Sequence, residues 1–75
     1  MNSQARVYAQ QALAFMQQRR FDDAIAAASK AISLDPKSTQ AYGMRAMIYF
    51  ARGQDAQALA DIEAALKLAP RQPAL

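Results

Sequence analysis

The sequence predicts an all-α fold: two stacked helix-turn-helix repeats forming an α-solenoid of four helices. Three observations predict it. First, the chain repeats itself at an interval of 34 residues, with Tyr8, Ala12, Ala24, Ala26, Ala31, Leu34 and Pro36 returning as Tyr42, Ala46, Ala58, Ala60, Ala65, Leu68 and Pro70. A fixed period of this size marks stacked supersecondary units, none of which can bury its apolar face alone. Second, apolar residues fall at i, i+4, i+7 in each copy (Tyr8, Ala12, Phe15, then Tyr42, Ala46, Tyr49), which is a helical spacing and does not suit a strand. Third, Pro36, Gly53 and Pro70 fall between or after the periodic stretches, where helices stop.

The elements follow in order. Helix one is expected over about 3–18, capped by Asn2 or Ser3, whose side-chain oxygens accept from amides of the first turn. Helix two is expected over about 22–34, with Asp22 and Asp23 in its first turn, where the positive end of the macrodipole favours acids, and Lys30 towards its other end. Pro36 stops it and biases Asp35 towards an extended conformation. Ser38 is the expected cap of helix three, over about 39–52, and Gly53 supplies a left-handed exit. Helix four runs from about Asp55 to Leu68 and is stopped by Pro70. Ala12 and Ala24, then Ala46 and Ala58, fall where the two helices of each hairpin must approach closely, and Tyr8, Phe15, Tyr42 and Tyr49 are the bulky residues that fill the space around them.

Composition narrows the function. Seventy-five residues make one small domain, 1–75, near the lower limit at which an unaided core holds a fold. There is no cysteine and no histidine, which removes disulfide and thiolate chemistry, the commonest metal ligand and the usual general base. Asp22 and Asp23 point in different directions on a helix, as do Asp61 and Glu63, and no phosphate loop or nucleophile–base pair is present. The chain is therefore expected to be no enzyme and to need no cofactor or metal. Net charge is +3, but the basic residues are scattered and do not form the dense stripe that tracks phosphates, so no nucleic-acid partner is expected. No apolar run reaches the ~18 residues that span a bilayer, so no membrane insertion is expected and the chain reads as soluble and cytoplasmic. The acid-free, arginine-bearing stretch 1–20 superficially fits a transit peptide, yet it carries the repeat residues Tyr8, Ala12 and Phe15 and reads as part of the fold.

The pattern resembles the tetratricopeptide repeat family, whose unit carries an aromatic, a small residue, an aromatic, an alanine and a closing proline. Tyr8, Ala12, Phe15, Ala24, Ala31 and Pro36 take these places in repeat one (5–38), and Tyr42, Ala46, Tyr49, Ala58, Ala65 and Pro70 in repeat two (39–72), leaving a tail of 73–75. Gln11 and Arg45 stand where the family often has leucine, and Ala28 where it often has an aromatic; these departures read as ordinary drift. Arg19 stands at the glycine of the turn, where a left-handed residue with a side chain costs roughly 1 kcal/mol unless the turn reshapes.

The resemblance implies a protein-interaction module, an adaptor, scaffold or co-chaperone-like part, that receives a protein or peptide partner in a concave groove lined by the first helix of each unit. In this sequence those positions hold a second apolar stripe, Ala9, Leu13 and Met16 on helix one and Gly43, Met47 and Phe50 on helix three, with Met44 beside it. Methionine suits surfaces that accept varied apolar partners. A family variant grips a C-terminal carboxylate with lysine, asparagine and arginine, but Ala9, Leu13 and Met44 occupy the corresponding sites, and nearby Arg6 and Gln10 do not reproduce the set. At the far end, Ile48, Tyr49, Ile62 and Leu66 are expected to need a cover, either a further repeat of a longer array or a second copy in a homodimer.

Overall fold

The computed structural model describes residues 2–68, which form four helices: α1 (Ser3–Gln17), α2 (Phe21–Leu34), α3 (Thr39–Ala51) and α4 (Asp55–Leu68). α1 pairs with α2 and α3 with α4 as antiparallel hairpins, and the hairpins join where α3 lies against α2 and α1. No strand occurs among the described residues. The expected helix bounds agree within one residue at each end. The stop at Pro70 and the tail 73–75 lie outside the described residues.

The ends form as the sequence dictates. Asn2 caps α1, its Oδ1 accepting from the Ala5 amide at 2.7 Å, while its side-chain amide donates to the Leu34 carbonyl at 3.0 Å and so ties the start of α1 to the end of α2. Ser38 caps α3 in the same manner, accepting from the Ala41 amide at 3.1 Å. α2 has no side-chain cap, and its first-turn acids turn instead to arginine, Asp23 to Arg20 at 2.7 Å and Asp22 to Arg52 from the end of α3.

Both hairpin turns close by one device. Arg19, with φ of 61°, donates its amide to the Met16 carbonyl, and the Arg20 amide reaches back to Phe15. In the second repeat Gly53, with φ of 85°, bonds to Phe50, and the Gln54 amide to Tyr49. Paired bonds of this kind around a left-handed residue satisfy the last carbonyls of a helix. Arg19 therefore accepts the strain and the turn is not reshaped, and its guanidinium lies over the Phe21 ring with 5.7 Å to the centroid.

The core is built almost wholly of alanine. Of the eleven buried apolar residues among those described, ten are alanine and the other is Ile48. Ala12 and Ala24, and Ala46 and Ala58, are closed to solvent, as their place in the seams requires. One cluster gathers Ala12, Ala24, Ala27, Ala28 and Ile48, with Phe15, Phe21 and Ile25 packed around it, and a second joins Ala5, Ala9, Ala31 and Ala41 with Tyr8 and Ile32. Ile48 corrects the expectation that it belongs to an uncovered end face. It follows Ala41 by two helical turns, so the two share the side of α3 that meets α1 and α2, and it is fully buried there among first-repeat alanines. Ala28, small where the family often has an aromatic, is one of the residues it rests on.

The strained turn yields a test. Arg19→Gly is expected to raise stability by no more than about 0.5 kcal/mol, because the added freedom of the unfolded chain and the lost ring contact offset most of the left-handed penalty. Urea denaturation measures it, and a variant less stable than wild type would contradict this account of the turn.

Candidate functional site: a groove between α1 and α3

α1 and α3 hold equivalent places in their repeats and run the same way, so residues 34 apart face each other across the hollow between them. A cavity of about 450 Å³ opens there, lined by Arg6, Ala9, Gln10 and Leu13 from α1 and by Gln40, Met44 and Met47 from α3. Ala9 is its floor, closed to solvent by its own packing against Ala5, Ala31 and Ala41, and Met44 leans on both core clusters. Leu13 and Met47, 38 % and 50 % exposed, form the apolar wall. Arg6 and Gln40 form a polar end near where both helices begin, and Gln10 follows Arg6 one turn further along α1.

Ala9, Leu13, Met44 and Met47, expected from the apolar stripe, thus meet in one cavity. The other three expected residues stand outside its lining. Met16 packs against the first core cluster, Phe50 is 44 % exposed one turn beyond Met47, and Gly43 faces open space, with nothing within 4 Å of where a Cβ would lie. Arg6, Gln10 and Gln40 complete the lining without having been singled out as site residues. The signal for Arg6 and Gln40 was available, since they occupy the same repeat position.

A polar cluster behind α3 was also missed. Arg45 Nε and Nη2 donate to both oxygens of Asp61 on α4 at 2.8 and 2.7 Å, and Nη1 donates to Ser29 Oγ on α2 at 3.0 Å. Asp61 is 4 % exposed, and the Arg45 guanidinium lies 5.9 and 5.8 Å from the ring centroids of Tyr42 and Tyr49. The hydrogen bond to Asp61 holds the Arg45 pKa above its ordinary value, outweighing the burial that would lower it. Arg45 is therefore no neutral departure. The first repeat carries Gln11 and Ala27 at the matching positions, so the second repeat changed both members of a pair.

The outer side of α4 carries Leu59 and Leu66, 55 % and 68 % exposed, with half-buried Ile62 between them. Leu59 extends the expected end face. Tyr49 is half-buried over Arg45, and Ile48 lies in the core as described above. No group of three His, Cys, Asp or Glu residues able to hold a metal occurs among the described residues, and none of their helices is long and apolar enough to cross a membrane.

Helical hairpins set at a fixed period beside an open groove define a repeat scaffold, a class that works by presenting a surface. The tetratricopeptide repeat model matches residues 9–73, and the chain belongs to that family. No curated protein sequence matches it. Membership makes the chain a protein–protein interaction module with protein partners, of a kind that is typically non-catalytic.

The buried pair sets a prediction. Asp61→Ala strands a largely buried guanidinium and is expected to cost about 2–4 kcal/mol, whereas Arg45→Leu/Asp61→Ala is expected to recover most of that loss, because an apolar replacement of both partners removes the uncompensated charge. Urea melts of the two variants check it, and an Asp61→Ala protein as stable as wild type would show that the pair does not hold the hairpin.

Proposed function

We propose that the chain captures an apolar or amphipathic segment of a protein partner in the groove between α1 and α3, as an adaptor or co-chaperone-like part. The observation that carries this reading is the exposed row of Leu13, Met47 and Phe50 running along and beyond a cavity floored by alanine. Two of these side chains stand on α3 a turn apart, the spacing at which a docked helix or extended segment presents its own anchors. Gly43 supports the same reading. A mid-helix glycine costs up to ~1 kcal/mol against alanine, and no packing within the chain requires its bare backbone, whereas a guest approaching closely would.

Met47→Glu/Phe50→Ala is expected to keep the helical fold, since both side chains are about half exposed, and to lose the partners that wild type retains from a lysate of the source organism. A folded double variant that keeps every partner would place binding elsewhere.

A second reading has its own observation, the exposed Leu59 and Leu66 beside Ile62 on α4. α4 stands to its outer side as α2 stands to α3, so a second copy or a following repeat would extend the stack there. Leu66→Glu is expected to turn a concentration-dependent dimer into a monomer in sedimentation. A wild-type chain that is monomeric at millimolar concentration removes self-association.

A further inference from the structure

We propose that the outer face of α4 is closed by the same face of a second copy, the two α4 helices lying antiparallel about a two-fold axis so that Asp55 of each copy meets Lys67 of the other. The inference rests on the self-association reading and adds the orientation of the second copy. It starts from the joint inside the chain. Where α2 receives α3, Ile25 and Ala28 pack around Ile48, Ile32 packs in the cluster that holds Ala41, and Ser29 accepts from Arg45. Thirty-four residues on, the same positions of α4 hold Leu59, Ile62, Leu66 and Glu63. The α4 face is thus built as a joint, and within the chain Leu59 and Leu66 have no helix over them.

A head-to-tail copy would set its α1 on this face and could not rebuild that joint. Ile48, the buried plug, has exposed Ala14 as its counterpart on α1. The ion pair of Arg52 with Asp22 would fall to Gln18 and Ala56, and the bond of Arg45 to Ser29 would fall to the amide of Gln11 and Glu63. Ala41, closed to solvent against the first repeat, would become the bulkier Val7. The outer edge of α1 is therefore not the complement of α4, and a contact of unlike faces would also leave each end free to grow.

The α4 face complements itself. Asp55, Leu59, Ile62 and Leu66 are spaced 4, 3 and 4 residues apart, a stripe that reads the same in both directions. Run antiparallel, two such stripes set Leu59 opposite Ile62 and Leu66 opposite Asp55, with Lys67 one residue further on. The helix carries its acid in the first turn and its cation in the last, and neither Asp55 nor Lys67 forms an ion pair among the described residues. The antiparallel pair brings each beside its opposite, once at either end, and opposes the two helix dipoles. A parallel pair would place acid against acid and cation against cation.

Sedimentation of the full chain from about 10 µM to about 1 mM is expected to show monomer and dimer and nothing larger, since one helix face per copy gives a small, weak interface. Asp55→Lys and Lys67→Glu are each expected to weaken the dimer roughly five- to tenfold, by turning two attractions into two repulsions. An equimolar mixture of these two variants, or both changes in one chain, is expected to restore it, because every charge then meets its opposite again. Val7→Glu is expected to leave the dimer unchanged, and circular dichroism checks that each variant keeps its helices. A dimer lost in Leu66→Glu but indifferent to both charge changes, one lost in Val7→Glu, or assemblies that grow beyond two copies would overturn the orientation and leave self-association standing. A wild-type chain that stays monomeric throughout would overturn both and give the face to another partner.

Discussion

The close approach of helix backbones that buried alanine permits is the constraint on which the rest of the molecule depends. Where ten of the eleven buried apolar residues among those described are alanine, helix axes can sit nearer than leucine or phenylalanine would allow, and the seams gain dispersion contacts between backbones instead of between long side chains. The same economy leaves little interior volume. Large apolar residues that a thicker core would absorb, among them Leu13, Met47, Phe50, Leu59 and Leu66, remain partly in water. Exposed apolar surface on this chain follows from how its core is made, and these five residues fall on two faces, the hollow between α1 and α3 and the outer side of α4.

Alanine alone does not fix the two hairpins on one another, and two devices supply the register. Ile48 projects from α3 into the alanine floor of the first repeat, the one large side chain wholly buried among the described residues. Arg45 projects from the same side of α3 one turn earlier and bonds to α2 through Ser29 and to α4 through Asp61. A planar guanidinium with five donors in fixed directions specifies orientation as well as contact, and its fork can be met by Asp61 and Ser29 in one arrangement of three helices. The buried pair therefore acts on specificity more than on net stability, since two desolvated charges recover little beyond their own cost. The first repeat, with Gln11 and Ala27 at these positions, has no such lock and relies on the alanine seam and on the Asn2 bridge to Leu34.

Much of the fold was legible because it rests on local chemistry written twice. The 34-residue period, the caps at Asn2 and Ser38, the left-handed positions at Arg19 and Gly53 and the alanine seams all depend on residues near in sequence or on the repeat itself. What escaped depends on the angle at which one hairpin meets the next. Periodicity places Ile48 on a stripe of α3 but does not say whether that stripe turns inward or outward, and only the α2–α3 packing decides it. Arg45 and Asp61 are sixteen residues apart and each departs from its repeat partner, so read singly each resembles drift; read as a pair of simultaneous departures, opposite in charge, they signal each other. Of the candidate groove, the sequence yields the stripe but not its depth. Ala9 becomes floor and Met16 core, and Arg6 and Gln40 close the end because α1 and α3 lie side by side in register.

The size of the groove sets how it can bind. A hollow flanked by two helices of about four turns offers a guest well under the ~800 Å² per partner of an ordinary stable interface, so area alone gives weak association. Under that limit a few contacts made in the right places decide affinity, and a surface of pre-ordered helix loses little entropy when it is used. The methionines at 44 and 47 add adaptability at low cost, because an unbranched thioether can reshape around guests of different outline. A thin alanine core thus leads to a small site, and a small site makes the placement of each contact matter.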